Sequence, residues 1–251
     1  MITIWHLFKR EMTSYFYTSL GVSLLMLVSL LTGFNFYTSV SLLNHGPSGI
    51  SIVEAFFNNF FLSVALLLLT PLLTMRLLAQ EYRTGTIEAL LTAPLSDFQI
   101  ILAKFLGAFL FFMLLWVPSL FYFIFFWPSA HQVAAAGYGA YFGAYGMLLL
   151  EGAFYIAVGL MASTMTSHEL IAATFSFCFL LFFFFGRRFI HWLPSRSSLS
   201  LFPEGLFFPV ETMKNFSRGL IDTRSIVFYL TMTFLFLFLS LSIFQLRKWR
   251  Q

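Results

Sequence analysis

Six stretches of mostly apolar residues constrain this chain more than anything else in it, running at about 17–37, 56–78, 98–127, 138–161, 170–190 and 225–245. A helix rises about 1.5 Å per residue and the hydrocarbon of a bilayer is about 30 Å thick, so roughly 20 apolar residues make one crossing. Composition agrees. Of 251 residues 59% are hydrophobic and 10% charged, where a soluble domain has about a quarter charged. Phe contributes 36 residues, in runs such as Phe182-Phe183-Phe184-Phe185, which lipid accepts and a water-facing surface would expose as sticky patches. The expectation is an all-α integral membrane protein, one transmembrane domain over 1–251 with six transmembrane helices.

Other features narrow the class. The net charge of +4 is spread in short clusters between apolar stretches, so no nucleic-acid partner is expected. The single Cys178 cannot form an intramolecular disulfide and reads as a packing residue. Lys9 and Arg10 precede an apolar segment as in a secretory signal, but that segment is of spanning length and lacks an Ala-x-Ala-like end, so it reads as a retained anchor. Six crossings put both termini on one side. Lys9, Arg10, Arg76, Arg83, Lys104, Arg247, Lys248 and Arg250 mark that side as cytoplasmic. The connection from Arg187 to Arg224 breaks the rule, with six basic residues on what must be the outer side.

Two shorter helices are expected outside the spans. Ile4, Trp5, Phe8, Met12, Tyr15 and Phe16 recur at helical spacing, giving an interfacial helix over about 1–16. In the outer loop, about 191–224, Pro209 at a first helical position, Val210, Met213 and Phe216 on one face, and Gly219 as a stop describe a short amphipathic helix.

The stretch after the second span carries the chemistry. Arg76, Gln80, Glu81, Arg83 and Glu88 alternate at helical spacing with Leu77, Leu78, Ile87, Leu90 and Leu91, Gly85 breaks the run and Pro94 ends it. Ser96 with Gln99 then forms a capping-box pattern that restarts a helix. Such an elbow could pass a push from a cytosolic partner to two spans, or be an ordinary solvated face.

The run from Arg76 to Pro94, RLLAQEYRTGTIEALLTAP, resembles the cytoplasmic loop of ABC-2 type permeases, in the subgroup of gliding-motility and NosY-type permeases, and Asn215 to Arg224, NFSRGLIDTR, is similar to that subgroup's outer segment. The resemblance implies a coupling helix that docks on a nucleotide-binding subunit, with Gln80, Glu81, Arg83, Thr84, Gly85, Thr86, Glu88 and Leu91 as contact candidates. It implies two permease chains, as a homodimer or with a paralogue, paired with two copies of a cytosolic ABC ATPase that bind ATP and Mg, in the bacterial inner membrane. The chain itself has no G-x-x-x-x-G-K-[ST] loop, so it is expected to have no ATP site, no cofactor and no enzymatic activity of its own. Substrate export and mechanical work on envelope or periplasmic proteins both remain open.

A second docking point is expected at the connection from Ser163 to Glu169, an ordinary turn being the alternative; there His168 and Glu169 depart from the family's Asn-Gln-like pair. Glu151 falls near the middle of the fourth span, where a carboxylate must be protonated, paired or facing water. Gly139 and Gly143, Ala153 and Ala157, and nearby Gly152 and Gly159 mark close helix contacts; Pro71 and Pro118 are expected to kink their spans. An intramembrane enzyme using His131, Glu151, His168 or His191, and a scaffold without an ATPase partner, are the competing readings; no H-E-x-x-H pattern occurs, and no metal or catalytic residue is assigned.

Overall fold

A computed structural model describes residues 2–44, 50–88, 96–126, 137–192 and 209–248, with side chains over 7–44, 50–88, 96–125, 137–185 and 212–248. Among these residues the chain is all-helical, with no strand. The helices are α1 (Ile2–Tyr17), α2 (Ser19–Asn44), α3 (Ile52–Phe57), α4 (Phe60–Thr74), α5 (Ala79–Thr84), α6 (Asp97–Leu115), α7 (Val117–Phe126), α8 (Tyr138–Met165), α9 (Glu169–Trp192), α10 (Pro209–Ser217) and α11 (Thr223–Lys248). Among the described residues five stretches are long and apolar enough to cross a membrane: Ser19–Asn44, Phe60–Thr84, Asp97–Phe125, Tyr138–Met165 and Thr223–Lys248. This fits a helical, multi-pass membrane protein. The fifth segment expected from sequence, 170–190, falls in α9, whose described apolar part, Glu169–Phe185, is shorter.

Helix α8 is the hub. Its most apolar window is 78% buried, against 28% for α2 and 22% for α11, and α4, α6, α9, α10 and α11 pack around it. The peripheral helices turn Met26, Leu30 and Phe34 of α2 and Phe234 and Phe238 of α11 outward, as side chains that meet hydrocarbon do.

Small residues make the hub approachable. A Cβ on Gly143 would meet the Phe216 carbonyl oxygen of α10 at 2.6 Å; on Gly152 it would run into the Phe112 ring of α6, and on Gly159 into the Thr74 side chain of α4. Gly139 faces open space, so of the expected pair only Gly143 marks a contact.

Helix ends correct one of the expected boundaries and place the expected break at Pro118. Phe56 and Phe57 do not open the second span; they close α3, and the Asn59 side chain caps α4 by accepting from the Phe61 N–H at 3.1 Å. The third span is two helices, since Trp116 breaks the run one residue before the Val117-Pro118 pair, and Ser119 Oγ donates to the Trp116 carbonyl at 2.7 Å. Proline has no N–H to continue the ladder, and the Trp116 carbonyl at the break accepts from both the backbone N–H, at 3.1 Å, and the hydroxyl of Ser119. The capping box forms as expected: Ser96 Oγ accepts from Gln99 N–H at 3.4 Å, and Gln99 Oε1 accepts from Ser96 N–H at 3.1 Å.

At the end of the bundle away from α5, two short helices are set into the core. Ile52, Val53, Phe56 and Phe57 of α3 are almost wholly buried, as are Met213 and Phe216 of α10. Buried Glu54 pairs with Arg218 at 2.6 Å, and Asn58 donates to Ser217 Oγ at 3.3 Å. The hydrogen bond to Glu54 raises the pKa of the Arg218 guanidinium above its ordinary value. Gly219, at φ 82°, ends α10 in the left-handed region that favours glycine.

Candidate functional site

The opposite end of the bundle gathers most of the described charge around α5. Helix α4 stops at Thr74, four turn residues follow, and α5 starts at Ala79 and ends at Gly85, whose φ of 72° supplies the left-handed cap. Such a break leaves backbone groups without helical partners, and a side chain from α8 takes them up. Ser163 Oγ accepts from the N–H groups of Leu78 and Ala79, each at 3.0 Å, and donates to the Met75 carbonyl at 3.3 Å. Ser163 is itself fully buried. The sequence placed it only in a polar connection; the signal available was a hydroxyl at the polar end of a span.

The underside of the elbow is held by ion pairs. Lys104 of α6, only 1% exposed, donates to Glu81 at 2.9 Å and to Glu11 of α1 at 3.1 Å. Arg10, mostly exposed, reaches the same Glu81 oxygen at 3.3 Å. Glu169 at the start of α9 takes Arg76 at 3.0 Å and Arg83 at 2.8 Å. From α11, Arg247 donates to the Thr164 carbonyl at 2.8 Å and stacks 4.1 Å over the Tyr82 ring, while Lys248 pairs with Asp97 of α6 at 3.0 Å. The buried Lys104 pairs carry the energy: removing one partner of a buried pair costs about 3–5 kcal/mol, whereas an exposed pair such as Arg10 with Glu81 is worth about 0–1 kcal/mol.

Helix α1 is fastened to the same end. Leu7 is buried, Tyr15 stacks on Phe111 of α6 at 4.8 Å and donates to the Leu73 carbonyl at 3.2 Å. Burial and then the nearby Glu11 push the Tyr15 phenol well above its usual range, which keeps it a donor. Gly107 lets α1 cross α6, since a Cβ there would stand 3.0 Å from the Glu11 Cβ.

The expected contact residues therefore divide into two sets. Gln80, Arg83, Thr84, Gly85, Thr86, Glu88 and His168 are exposed on one rim, with Ile87 buried beneath them. Glu81 and Glu169 turn inward, with side chains 13% and 11% exposed. Arg83 serves both, solvent-facing yet paired with Glu169. The connection at Ser163 to Glu169 lies directly beside the elbow. Leu91, Pro94, His131 and the His191 side chain lie outside the described residues.

Glu151 stands apart, buried in the middle of α8 and accepting from the Tyr155 phenol at 2.6 Å. Among the described residues no group of three or more His, Cys, Asp or Glu side chains is placed to hold a metal ion. What the elbow end offers is mechanical: a polar rim over an underside tied to α1, α6, α8, α9 and α11. No protein-family model matches the chain, and no curated protein matches it.

Proposed function

We propose that this chain is the membrane-spanning permease subunit of an ABC transporter, and that the elbow from Gln80 to Glu88 is the coupling helix on which a separate cytosolic ATPase docks. The observation that carries the reading is the division of the elbow into an exposed polar rim and an underside wired to five other helices. A partner pressing on the rim moves the ends of those helices together, because buried ion pairs and backbone bonds do not yield independently.

The chain crosses the bacterial inner membrane six times, α9 supplying the fifth crossing; its 24 residues span about 36 Å at 1.5 Å per residue. Both termini are cytoplasmic. Lys9, Arg10, Arg76, Arg83, Lys104, Arg247 and Lys248 at the elbow end support that side. Two such chains, identical or paralogous, pair with two ATPase subunits that bind ATP and Mg. The work done is export of a substrate or movement of envelope proteins.

Copurification in mild detergent tests this, comparing wild type with a Gln80→Ala, Thr86→Ala, Glu88→Ala variant. The rim is the target because Glu81 substitutions would disturb the buried Lys104. A P-loop ATPase that accompanies the wild type and is lost from the equally abundant variant is the expected result. Wild type without any ATPase would overturn the reading in favour of a scaffold or an intramembrane enzyme.

A further inference from the structure

We infer that α1 and the elbow form one rigid body pinned by Lys104, which makes Lys104 a positioning residue for whatever moves the elbow. Glu11 and Glu81 come from segments 70 residues apart in sequence, yet both carboxylates close on one ammonium group at 3.1 Å and 2.9 Å. That ammonium is almost completely buried, so water cannot replace either carboxylate when the segments part. Arg10 supplies a second bond from α1 to the same Glu81 oxygen. Helix α1 is further pressed onto α6 at Gly107 and Phe111, so its backbone cannot slide without unseating the pin.

The consequence is that α1 is a second arm of the elbow rather than a passive strip at the interface. Its link to coupling rests on the function proposed above; the pinning itself does not.

Distance measurements between spin labels test it in the full chain, reconstituted in phospholipid nanodiscs in a Cys178→Ser background. One pair is Thr13→Cys on α1 with Thr84→Cys on the elbow, both exposed sites. A control pair, Phe142→Cys with Phe234→Cys, spans α8 and α11 at outward-facing positions. The first pair is expected to give a single narrow distribution that Lys104→Met abolishes and Lys104→Arg restores, while the control pair stays narrow throughout. Gly107→Leu, which crowds Glu11 and forces α1 off α6 while removing no charged group, is expected to broaden the first pair too. A first pair that stays narrow in Lys104→Met, or a control pair that broadens with it, would overturn the pin, the latter by showing a general loss of fold. In the complex, Lys104→Met is expected to retain the ATPase, because it leaves the docking rim unchanged. A wild-type chain that recruits no ATPase refutes the proposed function and leaves the label result standing by itself.

Discussion

Replacing Gly143 with alanine should damage this protein, while the same change at Gly146, one turn further along α8, should not. The added Cβ at 143 would lie 2.6 Å from the Phe216 carbonyl oxygen, a backbone atom that no rotamer change can remove. Ordinary contact begins at 3.4 Å, so α10 has to retreat by about 0.8 Å or α8 bend away. Retreat by that amount carries Arg218 with it and stretches a 2.6 Å pair with Glu54 past good hydrogen-bonding range. Over-packing of this kind costs about 1–3 kcal/mol. At Gly146 nothing lies within 4 Å, so the alanine there reports only the intrinsic helix preference, and the difference between the two variants isolates the clash. Thermal unfolding in detergent, followed by retention of monodisperse protein, is the assay. The Gly143→Ala midpoint should fall about 2–12 °C below that of Gly146→Ala, using about 2–4 °C per kcal/mol for a chain of this size. Equal midpoints would refute the placement of α10 against α8.

Two more expectations use the same assay. Ser163→Ala removes the acceptor of two buried N–H groups at the α4 to α5 break and should cost about 2–6 kcal/mol, at about 1–3 kcal/mol per unsatisfied group; Ser163→Thr, which restores a hydroxyl, should recover part of it, and a silent alanine variant would dismiss the cap. Glu151→Leu strips the buried Tyr155 phenol of its acceptor and should destabilise by about 1–3 kcal/mol, whereas Glu151→Gln keeps an oxygen in reach and should cost less; equal losses would mean that volume rather than the hydrogen bond matters there.

The elbow was partly legible before any coordinates, because its markers are local. Gly85 needs a left-handed backbone, Ser96 and Gln99 lie three residues apart in one helical turn, and charged side chains at helical spacing cannot remain in hydrocarbon. Which face of the elbow is free was not legible. Glu81 and Arg83 look alike in the sequence, two charged residues on one short helix, yet Glu81 turns to a buried lysine 23 residues away and Arg83 joins Arg76 on Glu169 of α9. Pairings of that kind depend on which helices become neighbours.

Sequence alone determined the solvent of this chain and its main punctuation: long apolar runs demand lipid, and glycine, proline and capping residues impose their breaks through backbone geometry that acts within a few residues. The tertiary structure decided everything that depends on contact between distant segments. It selected Gly143 over Gly139 as the close approach, moved Phe56 and Phe57 out of a span into α3, and gave Ser163 the loose backbone ends of another helix. Local rules specify where a helix starts and stops, while the packing of helices around α8 specifies which polar atoms meet, and a buried charge or hydroxyl takes its role from that meeting.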